Sequence, residues 1–379
     1  MGKRLFIDQT TVLTGRDLKA ERAGLLIEDG RIAAIVRDGS RPEGAEVLDA
    51  KGATVMPGLI DCHNHLSLDV KLKDYLLRMN SSEAELAIIA VDTLARDLKS
   101  GVTASRCMGD RFYIDVLCRS LIEEGRLAGP TLKVSGIGMR SPEGHGYVGM
   151  PFGTEEELKG AIAANAEKNT DWIKYYATGI APKDGIIRNT YSAQQVRFII
   201  ETAHSYGKPV TCHCAGGAAL QDAVAAGIDC LEHIYFATGK DIEAIQKAGT
   251  KICLTPSEYF TDKPTAPLAH RQTLDTYRDE VRTCMERVAA SGMEFVLGTD
   301  GSHAGLWKEA VYMKEFGADV PRILRALTVN AAALLGMDDS GEIAVGKRAD
   351  LILVPGDPHE DLSVLSQPEL VMKGGNTVA

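Results

Sequence analysis

The sequence lacks both a long hydrophobic run and an excess of positive charge. No apolar stretch approaches the roughly 20 residues that a membrane-spanning helix requires. The first residues reach an acid, Asp8, before an apolar core of signal-peptide length develops. The formal net charge of −10 disfavours a nucleic acid or an anionic membrane surface as a partner. We therefore expect a cytoplasmic protein with a small-molecule substrate, no nucleic-acid partner and no membrane partner, and we leave open whether it forms a homo-oligomer.

Two further patterns are missing. The eight cysteines are dispersed and mostly lie in apolar, strand-like runs, which predicts reduced, buried thiols rather than a disulfide framework. A glycine-rich phosphate-binding turn after the first strand, which a doubly wound sheet usually has, is also absent. The chain of 379 residues, with 45% hydrophobic and 25% charged residues, is typical of a globular protein with one large and one smaller domain.

Eight apolar runs alternate with helical patterns through the middle of the chain. The runs are residues 55–66, 102–108, 132–137, 172–177, 209–214, 230–235, 251–255 and 294–299. Helix starts between them carry capping boxes, Thr154 with Glu157 and Ser192 with Gln195. Eight strands alternating with helices indicate an α/β fold, a (β/α)8 TIM barrel, which we assign to residues 57–341.

Both ends of the chain contain short strand patterns separated by turns. Residues 25–36 hold two β-like runs joined at Asp29-Gly30, a strong hairpin signal. The segment that begins at Gly341 has similar runs. Neither end could bury a core by itself, so we predict that residues 1–56 and 342–379 together form one small, discontinuous β-sandwich domain.

Side chains that bind metals fall at the ends of the apolar runs. His63 and His65 are separated by one residue, so an extended strand points both to the same face. The C-terminal ends of barrel strands converge at one mouth, where the active site of this fold sits. Imidazole is the commonest ligand of zinc and similar ions. The sequence therefore predicts a metal site at the mouth, formed by His63, His65, Lys174, His213, His233 and Asp300.

On these residues the chain resembles the amidohydrolase superfamily over essentially its whole length. The resemblance implies that CO₂ carboxylates Lys174 to a carbamate, which bridges two divalent ions, commonly zinc. It further implies that His63, His65 and Asp300 hold the more buried ion. His213 and His233 would hold the more exposed one.

The chemistry of lysine agrees with this implication. A free lysine is a cation with a pKa near 10.4 and would repel Zn²⁺. A carbamate is an anion with two oxygens and can bridge two metal ions. Lys174 therefore makes chemical sense as a ligand only if it is modified.

The reaction that follows is hydrolysis at a binuclear metal site. Two cations acidify a bridging water to hydroxide near neutral pH. Asp300 takes the proton and returns it to the leaving nitrogen, as general base and then general acid. The exposed ion, which His233 helps to hold, polarises the scissile carbonyl. Asp300 and His233 are thus the candidate catalytic residues.

Within the superfamily, residues 172–179 and 227–233 are most similar to the metal-dependent dipeptidases, which include prolidase-like and other Xaa-amino-acid hydrolases. This similarity implies cleavage of a C–N amide bond in a dipeptide or an N-acyl amino acid. The residues after His213 and His233 depart from the pattern of that group, so proline specificity stays open. Candidate substrate contacts are His145, Tyr259, Arg140 and His303, of which Arg140 would suit a carboxylate.

Three alternatives stay open. A cyclic-amide or lactam hydrolase would use the same binuclear site. A mononuclear deaminase or imidazolonepropionase-like hydrolase often uses a glutamate close to the strand-five histidine, and no glutamate lies within five positions after His213, which disfavours this class. A catalytically silent binding barrel should have lost ligands, whereas all the metal positions are present here.

Overall fold

The computed structural model describes residues 4–378. Within them it contains strands β1 Arg4–Thr14, β2 Lys19–Glu28, β3 Arg31–Val36, β4 Glu46–Leu48, β5 Thr54–Pro57, β6 Leu59–Asn64, β7 Val102–Cys107, β8 Thr131–Lys133, β9 Met139–Arg140, β10 Met150–Pro151, β11 Ile173–Tyr176, β12 Val210–Cys214, β13 Cys230–His233, β14 Lys251–Leu254, β15 Val296–Leu297, β16 Leu351–Val354, β17 Leu370–Lys373 and β18 Asn376–Thr377.

Helices occupy most of the connections between the strands. They are α1 Tyr75–Arg78, α2 Glu83–Lys99, α3 Ile114–Glu123, α4 Glu155–Glu167, α5 Ala193–Ser205, α6 Gly217–Ala225, α7 Gly239–Ala248, α8 Ser257–Phe260, α9 Leu268–Ala290, α10 Leu306–Glu315, α11 Val320–Ala326 and α12 Val329–Leu334, with 3₁₀ turns at Arg111–Tyr113 and Leu362–Ser366. The predicted capping boxes are confirmed: Thr154 and Glu157 begin α4, and Ser192 and Gln195 begin α5.

Strands from both ends of the chain form one sheet of eight strands. Its order is β18-β17-β16-β5-β1-β2-β3, with β4 beside β1. The predicted hairpin is confirmed, because Glu28 of β2 pairs with Arg31 of β3 across a turn whose residues Asp29 and Gly30 have positive φ. Leucine, isoleucine, valine and alanine side chains from both ends pack into one buried cluster on this sheet. The two-layered sandwich itself stays a prediction.

The remaining strands are parallel and form two linked sheets. One has the order β6-β7-β8, and the other has the order β10-β9-β11-β12-β13-β14-β15. On one side, the backbone amides of Asp171 and Trp172 donate to the carbonyl of Val134, which follows β8. On the other side, the amides of Thr299 and Asp300 donate to the carbonyl of His63 in β6. The first bonds join the end of β8 to the start of β11, and the second bring the C-terminal ends of β6 and β15 together.

The first apolar run is the main point at which the sequence prediction of strands was wrong. Residues 55–66 form two strands in different sheets, β5 and β6, and the chain changes partners at Gly58. The amide of Gly58 donates to the carbonyl of Asp350 on the side of the terminal sheet, whereas the amide of Leu59 donates to the carbonyl of Gly101 before β7. A continuous apolar run does not show such a change of partner, since both strands are buried.

Buried apolar side chains, including the cysteines, fill the interior. All eight cysteines are free and buried, as predicted. No helix among residues 4–378 combines the length and the apolar character that crossing a bilayer demands.

Candidate active site

All six predicted ligand residues line one cavity of about 210 Å³ at the C-terminal ends of the parallel strands. His63 lies in β6, Lys174 in β11 and His213 in β12. His233 ends β13, and Asp300 follows β15 by three residues. The complete wall consists of His63, His65, Leu68, Val70, Tyr75, Leu76, Met79, His145, Gly146, Tyr147, Val148, Lys174, Tyr176, Ile180, His213, His233, Tyr235, Glu258, His270 and Asp300.

The potential ligand atoms of His63, His233 and Asp300 lie within 4.8 Å of one another. The Nε2 atoms of His63 and His65 are 3.3 Å and 3.6 Å from Oδ1 of Asp300. The ring centroids of His213 and His233 are 4.5 Å apart. Each of these side chains can therefore contribute a ligand atom to a shared site.

Hydrogen bonds on the far side of two imidazoles set the direction of their lone pairs. Nδ1–H of His63 donates to Glu232 over 2.7 Å, and Nδ1–H of His65 donates to the carbonyl of Gly109 over 2.6 Å. In the neutral tautomer, each Nε2 then presents a lone pair toward the carboxylate of Asp300. Lone pairs that converge in this way attract a cation, and N and O donors are ligands that Zn²⁺ accepts.

Burial favours the neutral form, which binds metals, in four histidines of the cavity wall. It lowers the pKa of His65 to about 3 and the pKa of His145 to about 4. The pKa values of His213 and His233 also fall well below the ordinary value, chiefly because of burial. For Asp300, burial acts to raise the pKa, but the neighbouring His63 and His233 outweigh it and hold the pKa well below the ordinary range.

Lys174 is fully buried, and its Nζ has no hydrogen-bond partner among the described residues. Burial lowers the pKa of this amine, against the opposing effect of Glu232 and Asp300. A neutral amine is the nucleophilic form that can add CO₂. Nε2 of His233 is a second buried atom in the cavity without a partner in this part of the chain. Both orphaned atoms fit a site that metal ions complete.

Glu232 is a functional candidate that the sequence reasoning missed. Its carboxylate lies between Nδ1 of His63 and Nη2 of Arg106, at 2.7 Å from each, and it also accepts from Thr211. Arg106 in turn donates to the carbonyl of Cys62 over 2.6 Å. Burial acts to raise the pKa of Glu232, but Arg106 and His63 outweigh it and hold the pKa well below the ordinary value. A charged residue inside the apolar run 230–235 was the signal available in the sequence.

The backbone around the ligands is under local constraint. His233 and Asp300 have φ angles of 75° and 48°, in the left-handed region that non-glycine residues rarely adopt. At Gly298, an added Cβ would lie 2.4 Å from the backbone nitrogen and the Cβ of His63, so glycine alone fits. The ligand residues are thus held in positions that ordinary strand geometry does not supply.

Of the four predicted substrate contacts, only His145 lines the cavity, with its ring centroid 4.7 Å from that of His213. The hydroxyl of Tyr259 donates to the carbonyl of Ile180 over 2.8 Å. Arg140 donates to two carbonyls of its own loop. Neither side chain lines the cavity, and their contact with a substrate stays a prediction.

His303, the fourth predicted contact, also lies outside the wall of the cavity. Its Nδ1 is 2.8 Å from Asp97, and its Nε2 is 2.9 Å from the carbonyl of Leu68. Both ring nitrogens therefore bind groups of the protein, and His303 connects α2 to the segment after β6.

The structure instead brings Glu258 and His270 to the cavity, where Nε2 of His270 lies 3.2 Å from Oε1 of Glu258. Glu258 directly precedes Tyr259 in the chain, so the segment that the sequence singled out reaches the cavity through the neighbouring residue. Apolar side chains from residues 68–79, with Val148, complete the wall.

Comparisons with known proteins agree with this geometry. A profile of the amidohydrolase family matches residues 54–378. The solved structure of a Xaa-Pro dipeptidase with bound methionine in its active site superposes with a TM-score of 0.90 and 25% identity, covering 99% of this chain and 100% of that chain. Ochratoxinase of Aspergillus niger is 25% identical over 401 residues, 93% of this chain and 82% of that protein. Imidazolonepropionase of Klebsiella pneumoniae is 27% identical over 376 residues, with 86% and 84% covered.

Proposed function

Because the chain belongs to the amidohydrolase family, we propose that it is a binuclear metal-dependent hydrolase that cleaves a C–N amide bond of a small substrate. We propose a dipeptide or an N-acyl amino acid as the substrate class, in line with the likeness to a Xaa-Pro dipeptidase. The convergence of lone pairs from His63, His65 and Asp300 on one point is the observation that carries the proposal.

The side chains divide into two proposed ligand sets. His63, His65 and Asp300 would hold one divalent ion, with Zn²⁺ as our choice. His213 and His233 would hold the second ion. A carbamate on Lys174 would contribute to both. When bound, such ions lower the pKa of water and polarise a carbonyl group.

The residues of the chain then have separate tasks. Asp300 accepts the proton of the attacking water and later donates it to the leaving nitrogen. Its low pKa keeps it ionised at the start of the cycle. Glu232 keeps Nδ1 of His63 protonated, so that Nε2 stays available as a ligand. The apolar wall after β6 binds the body of the substrate and excludes water.

The fold supports the same proposal. We interpret the linked parallel strands as the (β/α)8 barrel, with residues 57–341 as the hydrolase domain. Residues 1–56 and 342–379 are then the second domain, with the β-sandwich architecture predicted from the sequence. The cytoplasmic location and the small-molecule substrate stay predictions from composition, and a homo-oligomer stays open.

Metal content and hydrolysis test the proposal together. Protein reconstituted with Zn²⁺ in bicarbonate buffer is dialysed, assayed for zinc, and incubated with libraries of dipeptides, N-acyl amino acids, lactams and cyclic amidines. We expect about two ions per chain and cleavage within the first two libraries. His213→Ala should lose an ion, and the control His204→Ala, on the exposed end of α5, should lose none. A folded protein that retains no metal and cleaves nothing would support the silent barrel.

Cyclic-amide hydrolysis is the second candidate. It is favoured by the 27% identity to imidazolonepropionase of Klebsiella pneumoniae. A lactam hydrolase would use the same binuclear ligand set, whereas an imidazolonepropionase-like hydrolase would use a single ion, so the libraries and the metal content together decide between the candidates. Cleavage confined to cyclic substrates would replace the dipeptidase proposal.

A further inference from the structure

One carboxylate besides that of Asp300 lies among the apolar side chains of the cavity wall. Glu258 lies in the short helix α8, which follows β14, and its side chain is only 12% exposed. The wall beside it consists of Leu68, Tyr75, Met79 and Val148, which pack together as one buried cluster. A nearly buried charge in such surroundings is costly unless it is paired.

Two partners fix this carboxylate from different directions. Lys263 contacts Oε2, and its side chain is 2% exposed and does not line the cavity. His270 contacts Oε1 and does line the cavity. The Oε1 edge is therefore the edge that a ligand in the cavity can reach. Because a carboxylate oxygen accepts more than one hydrogen bond, Oε1 retains capacity for a further donor.

The charges on the cavity wall favour a donor of one kind. Lys174 is its only lysine, it lies among the metal ligands, and the wall contains no arginine. Arg140 does not line the cavity, and its Nη1 donates to two carbonyls of its own loop. On the cavity wall, a carboxylate of a substrate would meet Glu258 without a lysine or an arginine beside it. A basic group would meet an anion whose position is already fixed.

We propose that Glu258 is a specificity-determining residue, and that the substrate carries an amine, guanidine or amidine on an apolar chain remote from the scissile amide. The inference rests on the proposed function, since it names the substrate class of the same cavity. The apolar cluster would contact the methylene chain, and Oε1 of Glu258 would accept a hydrogen bond from the basic end.

A matched series of amide substrates tests the preference. The series differs only in the remote group: the ammonium of a lysine side chain, the methyl of norleucine or the carboxylate of glutamate, placed in turn on each side of the scissile bond. We expect kcat/KM for the lysine member to exceed that for norleucine by about 10-fold or more, the effect of one charge-assisted hydrogen bond. A ratio near one, or a preference for the carboxylate, would overturn the inference.

Variants assign the preference to Glu258. In Glu258→Gln the lysine-to-norleucine ratio should fall to within about 3-fold of one, because the neutral amide loses the ionic part of the contact. Glu143→Gln, an exposed glutamate on the His145 loop, is the matched control and should retain the wild-type ratio. The double variant Glu258→Gln/Lys263→Met removes both charges, so no unpaired lysine is left to unfold the segment. Retention of the lysine preference in this variant would refute the assignment.

A binding experiment separates this inference from the proposed reaction. Calorimetry with the protein as purified compares pentylammonium with pentanol, neither of which has a bond to hydrolyse. We expect pentylammonium to bind about 10-fold more weakly to Glu258→Gln than to wild type, and pentanol to bind both equally. If this holds and no amide is cleaved, the basic-group site stands and the hydrolase proposal fails. If amides are cleaved and pentylammonium binds wild type and Glu258→Gln equally, the hydrolase proposal is supported and the inference is refuted.

Discussion

Two glutamates, Glu232 and Glu258, are each paired with a histidine and a basic side chain, but their surroundings differ. Glu232 lies between a histidine and Arg106, all three on strands, and neither the glutamate nor the arginine side chain has any exposed surface. Glu258 lies between a histidine and Lys263 on the segments that follow β14, and it borders the cavity. The same three groups, a carboxylate, an imidazole and a basic side chain, can therefore orient a candidate metal ligand at one site. At the other site they leave a carboxylate oxygen that a ligand in the cavity can reach. Enclosure by strands makes the difference.

We expect the largest effect of a substitution at the site that the strands enclose. Lys174→Ala should abolish turnover and lower the bound metal from about two ions to one or none, because the proposed carbamate, a ligand common to both ions, can no longer form. Atomic absorption after dialysis, together with the amide assay, measures both. Full activity in this variant would show that the enclosed region works without a bridging group.

Asp300→Asn should have the second largest effect on activity. We expect at least about a 10²-fold loss of kcat, since an amide cannot accept and return the proton. The assay is steady-state kinetics with the best substrate from the libraries, on protein with measured metal content. An unchanged rate would transfer the proton task to another group of the cavity.

Glu232→Gln tests the comparison itself. The loss of the charged acceptor behind His63 should weaken metal binding by about 10–100-fold, and it leaves Arg106 buried without its anion. Competition with a zinc-responsive dye measures the affinity. Glu258→Gln is the matched variant at the other site and should bind zinc as wild type does. An equal loss of zinc affinity in both variants would show that the two glutamates do not differ in their effect on metal binding.

A third buried carboxylate, Glu309, extends the comparison because no cation pairs with it among the described residues. Burial raises its pKa from the ordinary 4.5 to about 8, so between these values the folded protein holds a proton that the unfolded chain releases. Its stabilising contribution is complete below about pH 4.5 and is lost as the pH rises through about 8. The free energy of unfolding of wild type, relative to Glu309→Gln, should fall by up to about 1.4 kcal/mol per pH unit in that interval. Urea unfolding at several pH values checks this, and a constant difference would contradict it.

The meeting of the six candidate ligand residues at one cavity could be predicted from the sequence, because they lie in or directly after short apolar runs. His213 is the fourth residue of β12 and His233 ends β13, and this local pattern places both near the same end of a parallel sheet. Glu232 could not be assigned in the same way. Its partners Arg106 and His63 are 126 and 169 positions away, and only the assembly of strands far apart in the chain brings them together.

The cavity wall was harder to predict because loops form it. Tyr259 has a hydroxyl suited to a substrate contact, but the turn of α8 directs that hydroxyl to Ile180 and presents the preceding Glu258 to the cavity. Side-chain direction in such a short helix depends on the packing of α9 and of the segment after β6, which no local pattern encodes. The change of sheet at Gly58 could not be predicted either, because Gly58 lies within a continuous apolar run and no local pattern encodes the change of strand partner.

Because β5 pairs with β16, this part of the sheet can form only late in the synthesis of the chain. Residues 54–57 pair with residues 351–354, and the amide of Gly58, immediately before the strand that carries His63, donates to the carbonyl of Asp350. During translation this support for the first ligand strand is missing until residue 354 has emerged from the ribosome. A nascent or prematurely ended chain therefore exposes an unpaired strand edge beside the first candidate ligand residues, and such an edge favours aggregation.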